Sequence, residues 1–169
     1  VVGTLLGSVA FSVAAQVDCP VVVVKGEDAD RAPGPDAPVV VGVDGSESAA
    51  AALAFAAAFA AGVGAPLVVL TCTREDEGEG EAAPWAAQLR AAAERIAAAA
   101  AEHARVAHPG LEVDWRVDER PAEAALVDAS TTAGLVVAGT RGRGAFEGLL
   151  LGSVSHALIH DAQGTVAVV

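Results

Sequence analysis

The chain has 169 residues, 53% of them hydrophobic and only 4% aromatic, and a formal net charge of −12. That length suits one domain plus an appendage. The acidic balance argues against a general DNA or RNA surface, which needs clustered lysines and arginines, and no apolar run reaches the roughly 20 residues that span a bilayer.

There is no methionine, position 1 included, as expected of a piece cut from a longer chain or of a processed one. Val1 to Ala15 is apolar like the middle of a secretory leader, but no basic stretch precedes it. An internal echo accounts for it better. Gly3 to Val24 and Gly148 to Val169, 145 positions apart, share nine identities in 22 without a gap. Gly7-Ser8-Val9 recurs as Gly152-Ser153-Val154, and Val21, Val23 and Val24 recur as Val166, Val168 and Val169. The offset is the size of one domain. The sequence thus reads as a tandem: residues 1–25 are the last helix and strand of a preceding domain, 26–37 a linker, and 38–169 a whole domain.

In chain order, Pro20 to Lys25 is a short strand. Gly26 to Pro38 carries three prolines and three aspartates and reads as linker. Val39 to Val43 is a continuous apolar run of the kind buried on both faces in a parallel sheet. It stops at Asp44-Gly45-Ser46. Ser46 or Ser48 can cap a helix to about Ala61, with Leu53, Ala56, Phe59 and Val63 on one face. Leu67 to Thr73 is a second strand. Arg74 to Ala83 has five acidic residues and two glycines and reads as a solvated loop rather than a calcium site. Pro84 opens a long helix to about Ala107, with Trp85, Leu89, Ile96 and His103 as its stripe. Leu111 to Val117 alternates, as an edge strand with one wetter face does. Pro121 starts a third helix that ends before Gly134. Leu135 to Ala138, a helix from Val154 to about Asp161, and Val166 to Val169 complete the series. Such strand–helix alternation makes a parallel sheet with helices on both faces. Ligands of these sheets sit beyond the carboxyl ends of the strands, where the strand order reverses.

Asp44, Cys72 and Gly139 stand at three such ends. After Ala138 come Gly139, Gly142, Gly144 and Gly148, then Gly152-Ser153 at a helix start. Backbone N–H groups in a glycine-rich turn, with a helix N-terminus behind them, form an anion cradle. The spacing is G-x2-G-x9-G-S.

This spacing, with VVVGVDGSESAAAALAFAA, GSVSHAL and the closing VAVV, resembles the universal stress protein family over Pro38 to Val169. The resemblance implies a doubly wound α/β fold: a five-stranded parallel sheet in the order 3-2-1-4-5, counted from the Val39 strand. It also implies ATP binding. Gly42, Val43 and Asp44 would line the adenine and ribose end, and Cys72 would sit beside the base. Ala138 and Gly139 would pass under the ribose. Gly142, Gly152, Ser153, Val154 and Ser155 would hold the phosphates, with Arg141 and Arg143 as phosphate partners or solvated loop charges. Mg2+ commonly accompanies ATP, but no dedicated carboxylate pair for it is visible. Family members pair through the last strand, which here would set Pro20 to Val24 against Val166 to Val169 in a tandem pseudo-dimer, or join two chains as a homodimer. One departure stands out. Gly164-Thr165 precedes the last strand where the family usually has proline, which Cys19-Pro20 keeps.

His156 and His160 have metal-ligand spacing, but neither a third ligand nor an adjacent glutamate accompanies them, so no metal site is read. His103 and His108 suit the end of a long helix. Cys19 and Cys72, both in or beside valine runs, read as buried thiols in a reducing compartment. The expectation is a cytoplasmic ATP-binding stress or energy-state regulator. It is not read as an enzyme, since no catalytic base and no lysine after the glycines is seen. The alternatives are a slow ATPase or nucleotidyl or phosphoryl transferase, and a pairing module without a ligand.

Overall fold

The computed structural model describes residues 6–25, 31–73, 84–142 and 151–169. Its elements are α1 (Leu6–Ala14), β1 (Val21–Val23), β2 (Val39–Gly42), α2 (Glu47–Val63), β3 (Leu67–Cys72), α3 (Pro84–Ala107), β4 (Val113–Asp118), α4 (Ala122–Ala129), β5 (Leu135–Ala138), α5 (Ser153–Asp161) and β6 (Val166–Val168). The strands form one sheet in the order β1-β6-β5-β2-β3-β4. Read from β4, the five parallel strands follow the expected order 3-2-1-4-5. The sheet has a sixth strand, however, because β1 adds to β6 antiparallel. The alternating β4 lies at the other edge, as its wetter face requires.

β2, β3 and β5 are valine and leucine runs because both their faces are covered. Val39, Val41, Leu67, Val69, Leu135 and Val137 pack with buried alanines of α2 and α3. Val40, Val68, Leu70, Val136 and Ala138 point the other way, to Ala125 and Leu126 of α4 and Leu158 of α5. Residues one apart on a strand serve opposite layers, so two helix layers need uninterrupted apolar strands. α2 starts at Ser46, whose Oγ accepts the Ala49 N–H at 3.2 Å, and ends at Gly64 with φ 68°, a left-handed turn that glycine adopts without strain.

The helix faces differ from expectation on both α3 and α2. The buried stripe of α3 is Ala93, Ala97, Ala101 and Ala104, while Trp85 and Leu89 are exposed and Ile96 is half-buried. Small residues let the helix lie close to the sheet, and large ones are displaced to the rim. On α2, Leu53 and Ala56 are buried but Val63, in the last turn, is exposed. Cys19 is also exposed, which corrects its reading as a buried thiol.

Two loop details bear on the sheet. Residues 31–37 lie against the turn after α4. Arg31 donates to the Thr131 carbonyl at 2.5 Å, and a Cβ at Gly134 would come 2.5 Å from the Pro33 Cα. Before β6, the Gln163 N–H donates to Ser130 Oγ at 2.9 Å, and a Cβ at Gly164 would stand 2.7 Å from the Ser130 carbonyl oxygen. The close passage of this loop over Ser130 explains glycine at 164. The acidic Glu75 to Glu81 run, Arg143, Gly144 and Gly148 lie outside the described residues.

Candidate functional site

The strand order reverses at β2. From there the chain continues outward through β3 and β4, and β5 and β6 lie on the opposite side. The carboxyl ends of β2 and β5 are hydrogen-bonding neighbours, so the segments leaving them converge.

Asp44 follows β2, and Gly45, with φ 81°, turns the chain into α2. The Asp44 Oδ1 accepts the Ser46 N–H at 2.9 Å. Its other oxygen, Oδ2, stands where a Cβ on Gly142 would come within 2.8 Å. Glycine at 142 therefore brings the second loop against the Asp44 carboxylate. Gly139 does the same one step earlier. A Cβ there would overlap Ser48 Oγ and lie 2.8 Å from the Ser48 carbonyl carbon. Ser48 closes the junction: its hydroxyl donates to the Arg141 carbonyl at 2.5 Å and accepts the Arg141 N–H at 3.3 Å.

Thr140 ties in α5. Its N–H donates to the Val169 carbonyl at 2.8 Å, and its own carbonyl accepts the Gly152 N–H at 2.7 Å. The Ser155 hydroxyl also donates to the Thr140 carbonyl, at 2.9 Å. Ser155 is 1% exposed, so its hydroxyl is engaged beneath the helix start. Ser153 is exposed and Val154 half-buried. α5 begins after Gly152, which has extended φ/ψ and no side chain to cap the helix. A helix start leaves its first N–H groups without intrahelical partners and carries partial positive charge.

The remaining candidates are distributed as follows. Gly42 is the last β2 residue, and a Cβ there would come 2.7 Å from Leu126 Cδ1, so its place is fixed by α4. Val43 is buried and its N–H donates to the Leu70 carbonyl at 2.9 Å. Ala138 is buried, and its carbonyl accepts the Val169 N–H at 3.0 Å. Cys72 ends β3 and is half-buried; burial, then Asp118, pushes its thiol up to about 12. It stays protonated at neutral pH, and a thiol is a weak nucleophile. Arg141 is exposed, and its backbone rather than its guanidinium makes the Ser48 contacts.

The structure thus brings Asp44, Gly139, Arg141, Gly142, Gly152 and Ser155 into one junction, Asp44, Gly139 and Gly142 by close approach and Arg141, Gly152 and Ser155 through hydrogen bonds to Ser48 and Thr140. Cys72 stands at the end of β3, beside β2. Two contributors were not singled out for this role from sequence: Ser48, and Thr140 through its carbonyl. Glycine at 139 was the available signal for Ser48, since it marks a close approach.

Chemically, the rim offers a carboxylate at one end and uncapped helix N–H groups at the other. A carboxylate accepts hydrogen bonds from hydroxyl or amino groups and repels phosphate. The helix start attracts anions. A ligand with a sugar or base at one end and phosphate at the other matches both. The residues therefore fit a nucleotide. Among the described residues no three His, Cys, Asp or Glu side chains group as a metal site. The His156 and His160 rings stack with centroids 6.3 Å apart, and His160 Nδ1 pairs with Asp161 Oδ1 at 2.7 Å.

A doubly wound sheet with glycine-rich turns at its switch point defines a nucleotide-fold α/β protein. Residues 37–169 match the family model described as the universal stress protein family. The chain is 36% identical over 171 residues to a universal stress protein of Mycobacterium tuberculosis, covering 97% of this chain and 56% of that relative. Among solved structures, a universal stress protein from Archaeoglobus fulgidus superposes with a TM-score of 0.62 at 28% identity, covering 78% of this chain and 97% of that one. A universal stress protein in complex with cAMP superposes with a TM-score of 0.64 at 26% identity, covering 80% and 98%. The chain belongs to the universal stress protein family. It spans about half the length of the curated relatives it matches. No helix among the described residues is long and apolar enough to cross a membrane.

Proposed function

We propose that the chain binds an adenine nucleotide, ATP foremost, at the junction of β2, β5 and α5, and acts as a stress or energy-state regulator. The observation that carries this reading is the Cβ-free approach of Gly142 to the Asp44 carboxylate, beside the uncapped start of α5. Similarity to a structure that holds cAMP supports the adenine end. Asp44 takes the ribose or base together with Gly42 and Val43, and Cys72 flanks the base. Ala138 and Gly139 underlie the sugar. Gly142, Gly152, Ser153, Val154, Ser155 and Arg141 face the phosphates, Ser155 through its backbone N–H. Mg2+ would accompany ATP by charge alone, with no carboxylate pair of this chain assigned to hold it. Binding acts by differential affinity for one conformation or pairing state. Residues 1–25 are the tail of a preceding domain, 26–37 its connection, and pairing runs through the last strand, as a tandem pair or a homodimer. Cytoplasmic conditions keep Cys19 and Cys72 as thiols.

Titration calorimetry with ATP and Mg2+ tests the reading, beside a Gly142→Val, Gly152→Val double variant. Saturable binding, weakened at least about tenfold in the variant, is expected; one lost charge-assisted hydrogen bond already accounts for a factor of that size. No heat from either, with circular dichroism unchanged, would sink it. The β1–β6 ladder favours a second reading, a pairing module without a ligand, which that negative result would leave standing. Burst hydrolysis of ATP in a single turnover, lost in Asp44→Ala, would instead indicate an enzyme.

A further inference from the structure

β4 is the edge of the sheet on the far side from β6, and its hydrogen bonds show which main-chain groups it leaves outside. The Leu67 and Thr73 N–H groups donate to the Glu112 and Asp118 carbonyls at 2.9 and 2.8 Å. Even-numbered residues of β4 therefore turn their main-chain groups to β3, and Val113, Trp115 and Val117 turn theirs outward. Side chains hold two of the outward groups. The Val113 carbonyl accepts from Arg105 Nη2 at 2.6 Å, and the Trp115 N–H donates to Asp114 Oδ1 at 2.8 Å. Val117 has no such cap among the described residues. An edge strand with free main-chain groups is a template for another strand.

The charges around Val117 match such a strand. Residues 114–120 read Asp-Trp-Arg-Val-Asp-Glu-Arg. Inverted about Val117, Arg116 falls on Asp118 and Asp114 on Arg120, so each anion meets a cation. A second copy of β4, laid antiparallel across a two-fold axis at Val117, produces that inversion. The two Val117 residues then exchange both N–H···O=C bonds. Asp114, Arg116 and Asp118 share one face of the strand, and Arg120, just past it, is held there by bonds to Asp118 at 3.0 and 2.8 Å. Facing residues of opposite charge stabilise an antiparallel pair. In the single chain, Arg116 Nε only stands 3.8 Å from Asp114 Oδ2, and both side chains are 68% exposed, an arrangement worth little by itself. Asp114 would exchange the Trp115 N–H for Arg120 of the second copy, and the Glu119 carbonyl of that copy would take the N–H. The register also has a natural end. Val113 would face Pro121, which has no N–H to give, and Arg105 already supplies that donor. The chain as a whole carries −12 and repels its copy, whereas these four seam charges cancel.

We propose that β4 is a homotypic docking edge, which pairs antiparallel with β4 of a second copy about Val117 and is selected by the inverted charge order of residues 114–120. So short a ladder buries less than a standard interface. The dimer is therefore weak and reversible, and salt loosens it. It is separate from any pairing at β6.

Sedimentation equilibrium of the full chain tests this with Arg116→Glu and Asp118→Lys, each alone and the two mixed. The parent's mean mass is expected to rise with concentration. Each variant alone sets like charges opposite one another and should associate at least about tenfold more weakly. An equimolar mixture should regain association, because the altered positions then meet as opposite charges while the unaltered Arg116 and Asp118 still face each other. A mixture no more associated than its components would overturn the proposal. So would a parent whose mean mass is constant with concentration, or is matched by both variants. Should either variant fail to fold, Val117→Pro gives the second measure. It removes an outward N–H that the β3 ladder does not use, a place where an edge strand tolerates proline. Association is expected to be lost with the circular dichroism unchanged, and a folded Val117→Pro chain that associates like the parent would overturn the proposal.

Discussion

α1–β1 and α5–β6 are close in sequence and opposite in burial. Leu158 and Ala167 are fully buried, while their counterparts Val13 and Val22 are exposed at 43% and 49%. Ala162 is buried and Val17 is not. The second copy is covered on one side by α4 and β5 and on the other by the first copy. Among the described residues, the first copy packs chiefly on the second, α1 against α5 and β1 against β6. Similar side chains thus have different energetic weight according to how many layers enclose them, and an apolar pattern alone does not report which face is covered.

Matched substitutions exploit that contrast. The largest difference is expected for Leu158→Ala against Val13→Ala. The first opens a cavity between α5 and the sheet and costs about 3 kcal/mol, and the second less than about 0.5 kcal/mol at an exposed site. Urea unfolding of both variants measures this, and equal losses would mean that α1 is enclosed on both sides. Next comes Gly164→Ala against Cys19→Ala, again counterparts. A methyl at 164 must push against the Ser130 carbonyl, for an expected loss of about 2 kcal/mol, and at exposed Cys19 no measurable loss is expected. The smallest effect belongs to Lys25→Met. The Lys25 Nζ donates to the Leu158 and Ala162 carbonyls at 2.9 and 3.3 Å, so the change removes the cation from the end of α5 and costs less than about 1 kcal/mol. Its signature is in the pH dependence. Burial holds the Lys25 amine below its ordinary 10.5, against the pull of Asp161. On raising the pH, the docked amine releases its proton before the undocked one. Docking therefore strengthens as pH climbs toward 10.5 and is flat at neutral pH. Amide exchange of whichever of Val22 and Val23 turns its N–H toward β6 should show that slope against pH in the parent and lose it in the variant.

The two-sided sheet was legible because β2, β3 and β5 are apolar runs, which a sheet covered on both faces requires; the strand order was legible only through the family resemblance. The likeness of β1 to β6 was legible from the repeated GSV and the terminal valines, and their pairing only through the family resemblance. The stripe of α3 was not. Ranking residues by hydrophobicity selects Trp85 and Leu89, whereas a helix lying close to a sheet selects Ala93, Ala97, Ala101 and Ala104. At the candidate site, Asp44 and the glycines announce close approach by type alone. The Ser48–Arg141 clasp joins residues 93 apart through a common hydroxyl, and no local pattern marks it. The exposure of Cys19 was missed because its valine-rich neighbourhood belongs to a strand with only one covered side.

The 145-residue offset maps Val21, Val22 and Val23 to Val166, Ala167 and Val168, and the ladder pairs Val21 with Val168, Val22 with Ala167 and Val23 with Val166, so a local two-fold axis passes through the Val22–Ala167 pair. A residue on the axis of a symmetric dimer meets only itself, so size must match size and charge must face like charge. On the tandem reading proposed above, duplication within one chain lifts that restriction, because each half of the axis is encoded separately and can drift. Val22 opposite Ala167 sets a large residue on a small one, and Phe11 against His156 sets an apolar ring on a polar one. Neither combination is available to two products of a single unduplicated sequence, which would place alanine on alanine and imidazole on imidazole.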